Sequence, residues 1–185
     1  MTYRVGIIVG STRPTRVGRE IANAIYNLIT PYHGLDYEVI DLLEWNLPIF
    51  NEPDLPSNGV YVYDLTKRWS KKISSKDAFI FVTPQYNWGY PASIKNAIDY
   101  LYSEWNNKPA MIISYAYQGG GKAAAQLRQV LEGIGMKPVD TMPGIHIGSL
   151  SLKGADQLVG EYKNDILNGI DQIIEYAQLN STEAK

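Results

Sequence analysis

Hydroxyls and guanidinium groups crowd one short stretch near the amino end: Gly10-Ser11-Thr12-Arg13-Pro14-Thr15-Arg16-Val17-Gly18. The stretch joins an apolar run, Val5 to Val9, to a helix-period segment that starts at Val17. A helix amino end presents free N–H groups and the positive end of its dipole, which together attract an anion. Ser11, Thr12 and Thr15 add hydroxyl donors, and Arg13 and Arg16 add planar, permanently charged forks that suit phosphate oxygens. An ordinary strand-to-helix turn with hydroxyl caps and two solvated arginines is the plainer alternative. A triphosphate P-loop does not fit. Thr15 stands where the second glycine of G-x-x-x-x-G-K-[ST] belongs, no Lys-Thr follows, and no carboxylate for magnesium is expected beside the loop. A monophosphate held without metal fits better.

Two further loops carry complementary chemistry. Thr83 to Pro91 gathers Tyr86, Trp88 and Tyr90 with the amides of Gln85 and Asn87 and with Gly89. Flat aromatic surface beside amides suits a planar heteroaromatic ligand, or else forms an aromatic corner packed on its own core or on a partner subunit. Ser114-Tyr115-Ala116-Tyr117-Gln118-Gly119-Gly120-Gly121 ends in three glycines. These expose N–H groups and allow close approach to a ligand edge, or serve only as a flexible turn. The run Gly119 to Ala124 also matches the dinucleotide fingerprint G-x-G-x-x-A. That competing reading is weakened by its place after the fourth strand instead of the first. A phosphate seat, an aromatic wall and a glycine edge together fit FMN.

The elements that must position these loops follow from periodicity. Strands are expected at Val5–Val9, Tyr37–Asp41, Ala78–Val82 and Ala110–Ser114, with a weaker one near Lys137–Thr141 and a further extended piece at Ile145–Ile147. Helices are expected from Val17 to about Leu28, over 60–74 on the face Val62, Leu65, Trp69 and Ile73, after Pro91 on Ile94, Ile98, Leu101 and Trp105, after Gly121 on Ala123, Leu127, Val130 and Ile134, and from Ala155 to Leu179 on Tyr162, Ile166, Ile170, Ile173 and Ala177. Residues 42–59, with Pro48, Pro53 and Pro56, read as a long loop with at most a short turn, either functional or a packed surface excursion. Alternating strands and helices imply an α/β fold: a flavodoxin-like, doubly wound, five-stranded parallel sheet of order 2-1-3-4-5. Ligands in such folds sit beyond the carboxyl ends of the strands at the switch point, where all three loops meet.

Composition agrees. The 185 residues suit a single domain over 1–179, with 180–185 a polar tail expected to fray. Lys plus Arg is 17 against 19 Asp plus Glu, a net charge of −2, which argues against a nucleic-acid binder. There is no Cys, which removes disulfides and thiolate chemistry. With two His, a zinc site is not expected, and His33 and His146 read as structural or surface residues. No targeting segment or membrane span is recognised, and a cytoplasmic protein is expected.

Gly10-Ser11-Thr12-Arg13, the stretch from Pro84-Gln85-Tyr86-Asn87 through Lys95-Asn96-Ala97-Ile98-Asp99, Ser114-Tyr115 with Gly119-Gly120, and Leu47-Pro48-Ile49-Phe50-Asn51-Glu52 resemble the NAD(P)H-dependent FMN reductase family of flavodoxin-like quinone and flavin reductases. The resemblance runs over about residues 3 to 150, and the Pro-x-Tyr-Asn segment leading into Lys-Asn-Ala-Ile-Asp is its most specific part. It implies that Ser11, Arg13 and Arg16, with Val17, hold the FMN phosphate. Pro84, Gln85, Tyr86, Asn87 and Trp88 would border the ring, and Ser114, Tyr117, Gly119 and Gly120 its other edge. It implies a homodimer with FMN near the interface and loop 42–59 as a candidate wall. One departure stands out: Gln85 replaces the family's usual Glu. The implied activity is NAD(P)H oxidation by a ping-pong route to quinones, free flavin or similar small acceptors, with no side chain needed as acid or base. An FMN-binding electron carrier, or a redox-sensing partner protein without nicotinamide turnover, is the alternative. A carrier needs a charged docking face, which −2 does not suggest.

Overall fold

Alternate residues of the central strands feed two opposite cores, and that parity builds the sheet. In the computed structural model, which describes residues 3–32 and 34–183, β1 spans Arg4–Val9, β2 Asp36–Asp41, β3 Ala78–Pro84 and β4 Pro109–Ala116. All pair in parallel, in the order β2-β1-β3-β4-β5, where β5 is the two-residue Lys137–Pro138. Val5, Ile7 and Val9 of β1, Ile80 and Val82 of β3, and Met111 and Ile113 of β4 enter one core. There α1 (Gly18–Ile29) supplies Ile21 and Ile25, and α8 (Lys163–Glu183) supplies Ile166, Ile170 and Ile173. Ile8, Phe79, Phe81 and Ile112 point to the other core, which Trp69, Ile94, Ile98 and Leu127 complete. These come from α3 (Asp64–Ser74), α4 (Ala92–Asp99) and α5 (Gly121–Gly133). Strands buried on both faces must be apolar throughout, which is why their runs were readable.

Several expectations need correction. The helix expected over 60–74 starts at Asp64, and Val62 is 54% exposed, because a three-residue 3₁₀ turn at Pro56–Asn58 and an extended piece precede it. The long loop also contains the short α2, Leu42–Trp45. Leu101 and Trp105 are buried as expected but lie beyond the end of α4, in turns. On α5 the inward positions are Ala123, Ala124, Leu127 and Leu131, with Val130 and Ile134 only partly covered. The final helix, expected from Ala155 to Leu179, is interrupted: α7 (Ala155–Gly160) and α8 replace one continuous rod, and a short α6 (Leu150–Lys153) precedes them. The late extended piece is a strand, β6 (Gly144–His146), pairing with β4 beside Ser114 to Ala116. The weak fifth strand shrinks to β5, since Pro138 brings no amide to a ladder. α8 runs to Glu183, and His33, Ala184 and Lys185 lie outside the described residues.

The loop between α2 and α3 is closed by one carboxylate. Glu52, 8% exposed, accepts N–H bonds from Val62 at 2.9 Å and Tyr63 at 3.0 Å. Burial alone would raise its pKa. The Thr66 hydroxyl, the two amides and Lys67 outweigh that and hold it below the usual carboxylate value. The ionised form is therefore favoured by folding, and its contribution is present above about pH 4.5 and lost as pH falls through the lowered folded value. Glu52→Gln is expected to cost about 1–3 kcal/mol locally and to speed amide exchange at Val62 and Tyr63. Hydrogen-exchange mass spectrometry on the two proteins, and on wild type acidified below that range, checks it.

Candidate functional site

The switch point between β1 and β3 is built by close approach. Gly10 donates its amide to the Val82 carbonyl at 3.0 Å, and a Cβ at Gly10 would lie 2.3 Å from Ile94 Cδ1. Only glycine lets α4 come so near the end of β1. Ser11 follows, fully buried, its Oγ 2.6 Å from the Tyr86 hydroxyl and accepting the Arg13 amide at 3.4 Å. The Arg13 guanidinium lies 5.9 Å from the Tyr86 ring centroid. The Arg16 amide closes a turn on the Arg13 carbonyl at 3.1 Å before α1 begins.

A carboxylate does stand against this loop, contrary to the expectation. Asp41, at the carboxyl end of β2 and without side-chain exposure, takes Arg16 Nη2 at 2.6 Å and Arg19 Nη1 at 3.0 Å on its Oδ2. Its Oδ1 accepts the Leu43 amide and caps α2. Two guanidinium groups neutralise it, so it does not offer itself to a metal. Among the described residues there is no group of three or more His, Asp or Glu that could hold a metal ion. His146 is exposed, and its amide donates to the Tyr162 hydroxyl oxygen at 3.0 Å.

A cavity of about 310 Å³ opens where the three loops meet, at the low end of the range of about 300–1,000 Å³ for ligand sites. Arg13, Arg16 and Val17 line it from the first loop, Pro84, Gln85 and Tyr86 from the second, and Tyr117 from the third. Thr15, Tyr115, Ala116 and Ile147 complete it. Ile147 escaped the sequence reading because it reaches the cavity only through the pairing of β6 with β4. Two buried polar atoms here, Arg16 Nε and the Tyr115 hydroxyl, have no hydrogen-bond partner among the described residues. Burial pushes the Tyr115 phenol well above its ordinary value, so it keeps its proton and remains a donor. Orphaned buried donors call for an acceptor. The donors that line the cavity, Arg13, Arg16 and the Thr15 hydroxyl, suit an anionic oxygen, so the residues fit the phosphate of FMN.

The other expected residues are placed differently. Tyr86 and Gly89 exchange backbone hydrogen bonds at 2.8 and 3.0 Å around Asn87 (φ 45°) and Trp88 (φ 78°). Both central residues are left-handed, as a two-residue hairpin demands. Asn tolerates that conformation, but for Trp it is strained. Trp88 is 64% exposed, with Lys122 Nζ 5.2 Å from its ring and its carbonyl accepting from Gln126 Nε2. Asn87 and Trp88 thus form the rim, outside the cavity lining. Ser114 is fully buried behind the third loop and donates to the Gly119 carbonyl at 2.7 Å. Gly119 and Gly120 have φ of 76° and 80°, and a Cβ on Gly119 would meet the Gly144 carbonyl at 2.9 Å. These glycines are needed for the turn itself.

A second groove, of about 590 Å³, lies beside α4 and the long loop. Asn96 fastens that loop, donating to the Pro48 carbonyl at 2.7 Å and accepting the Phe50 amide at 2.8 Å. Ile49, between them, is 87% exposed.

Comparison with known proteins agrees with this geometry. Residues 3–148 match the NADPH-dependent FMN reductase family. An NAD(P)H-dependent FMN reductase of Schizosaccharomyces pombe is 44% identical over 147 residues, 78% of this chain and 74% of that protein. A quinone reductase of Pseudomonas putida is 29% identical over 187 residues, 96% of each. In fold, the flavoenzyme NAD(P)H:(acceptor) oxidoreductase of Paracoccus denitrificans superposes with a TM-score of 0.77 at 23% identity, over 95% of this chain and 99% of that one. A match across most of the chain, on a sheet of the expected order, places it in a single family: the chain belongs to the NADPH-dependent FMN reductases.

Proposed function

We propose that the protein is an FMN-dependent NAD(P)H oxidoreductase acting on quinones, free flavin or similar small acceptors by a ping-pong route. The carrying observation is the cavity at the switch point, lined by Arg13, Arg16 and Thr15 together with Tyr86, Gln85 and Tyr117. Bound FMN supplies the two-electron chemistry, accepting hydride from NAD(P)H and returning the pair to an acceptor. The chain's own residues bind and orient. Arg13, Arg16, Tyr115 and the hydroxyl of Thr15 hold the phosphate, and Ser11 backs them through Tyr86. Pro84, Gln85, Tyr86 and Tyr117 flank the ring, with Asn87 and Trp88 at the mouth. Ser114, Gly119 and Gly120 shape the third loop, which would border the ring's other edge. No side chain is assigned as acid or base.

The chain also acts as a homodimer in this proposal. The groove beside α4, with Ile49 projecting from a loop pinned by Asn96, is the face offered to the second copy. A cytoplasmic enzyme is part of the same proposal; no helix among the described residues is long and apolar enough to cross a membrane.

Purified protein is expected to carry FMN stoichiometrically and to lose its yellow colour on anaerobic addition of NADH or NADPH, regaining it with a quinone. A flavin-loaded protein that neither nucleotide bleaches would be a carrier instead. Arg13→Ala is expected to weaken FMN binding about 10- to 100-fold while leaving riboflavin binding nearly unchanged, since only the phosphate loses a charged partner. Fluorescence titration with both ligands measures it. Ile49→Asp is expected to yield monomers in sedimentation, with the fold intact by circular dichroism.

A further inference from the structure

We propose that Gln85 sets the reduction potential of the bound FMN, because it caps α5 with a neutral oxygen at the cavity wall. This rests on the FMN reading above. α5 begins behind Gly120, which has no side chain to cap it. The cap comes from another strand: Gln85 Oε1 accepts the amides of Lys122 at 3.1 Å and Ala123 at 3.2 Å. The Gln85 amide in turn donates to the Tyr115 carbonyl at 3.2 Å. Held at both ends, the residue cannot swing away from the cavity it lines. The same cavity is lined by Arg13, Arg16, Tyr86 and Tyr117.

Helix amino ends favour acidic side chains, which offset the positive end of the dipole. An uncharged amide makes the same two hydrogen bonds and leaves that field unopposed. The field matters to the chemistry. Oxidised FMN takes two electrons and one proton together, as the hydride of NAD(P)H, which leaves as NAD(P)⁺. The ring then bears one additional negative charge, which it gives up when the acceptor takes the electron pair, the same hydrogen and one proton from water. A charge fixed on the cavity wall shifts that balance through its Coulomb field at short range. Gln85 is thus a tuning residue that acts through its missing charge, not a catalytic one.

The test is anaerobic titration of the FMN-loaded protein against a redox dye of known potential, for wild type, Gln85→Glu, Gln85→Lys and Gln85→Leu. Gln85→Glu is expected to favour the oxidised form about tenfold, a potential lower by about 30 mV for a two-electron couple, with thermal stability kept or raised. Gln85→Lys is expected to move the balance the other way, and Gln85→Leu to lower stability with little change in potential. Equal potentials in all four proteins, or the same shift for Glu and Leu, would overturn the proposal while leaving the FMN reading standing. Wild-type protein that takes up no FMN overturns both.

Discussion

Asp41 ends β2 with its carboxylate withdrawn from water, and a charge so placed is tolerable only if it is paired and hydrogen-bonded. Arg16 and Arg19 meet it from one side and the Leu43 amide from the other. That arrangement fixes the pose of Arg16, whose remaining Nε looks for a partner, and it fixes the start of α2. The first cavity loop, the beginning of α1 and the entry to the long loop are tied to one buried oxygen. Without it the Arg16 side chain, 13% exposed, would lose the carboxylate that holds it against the loop.

The three cavity loops sit on a frame that resists displacement. β3 and β4 pair over six residues each, from Phe79 with Ala110 to Pro84 with Tyr115, and that ladder sets the distance between the second and third loops. Gly10 sets the distance between the first loop and α4. Binding groups on loops anchored to rigid strands can vary while the frame does not.

Much of this was legible in the sequence, for physical reasons. Strands covered on both faces cannot hide polar residues, so Ile7, Phe81 and Ile112 declare themselves. The switch-point rule then turns strand order into a place for the site, and Arg13, Arg16, Gln85, Tyr86 and Tyr117 do gather there. What stayed hidden depends on contacts distant in the chain. The grip of Asp41 on Arg16 spans 25 residues and that of Gln85 on α5 at least 37, and neither leaves a local signature. The resemblance placed Ser114 at the ring's edge, and what only the fold reveals is that its hydroxyl donates to the Gly119 carbonyl and closes the turn. The break between α7 and α8 was missed because the apolar spacing continues across it, from Leu158 and Val159 to Ile166.

The sheet's two margins are guarded by different means. On one side β2 is a full six residues long, but Asp36, Glu38 and Asp41 charge it, and Lys72 reaches Glu38 at 2.6 Å. On the other side the ladder is cut in two: β5 offers two residues, one of them proline, and β6 three, with residues 140–142 looped out between them and Arg128 donating to the Val139 carbonyl. An uninterrupted outer row of free amides and carbonyls invites strands of other molecules to add to it. The interruption that brings Ile147 to the cavity therefore also leaves too short a template for stray chains to propagate the sheet, so the same break serves ligand shape and colloidal stability together.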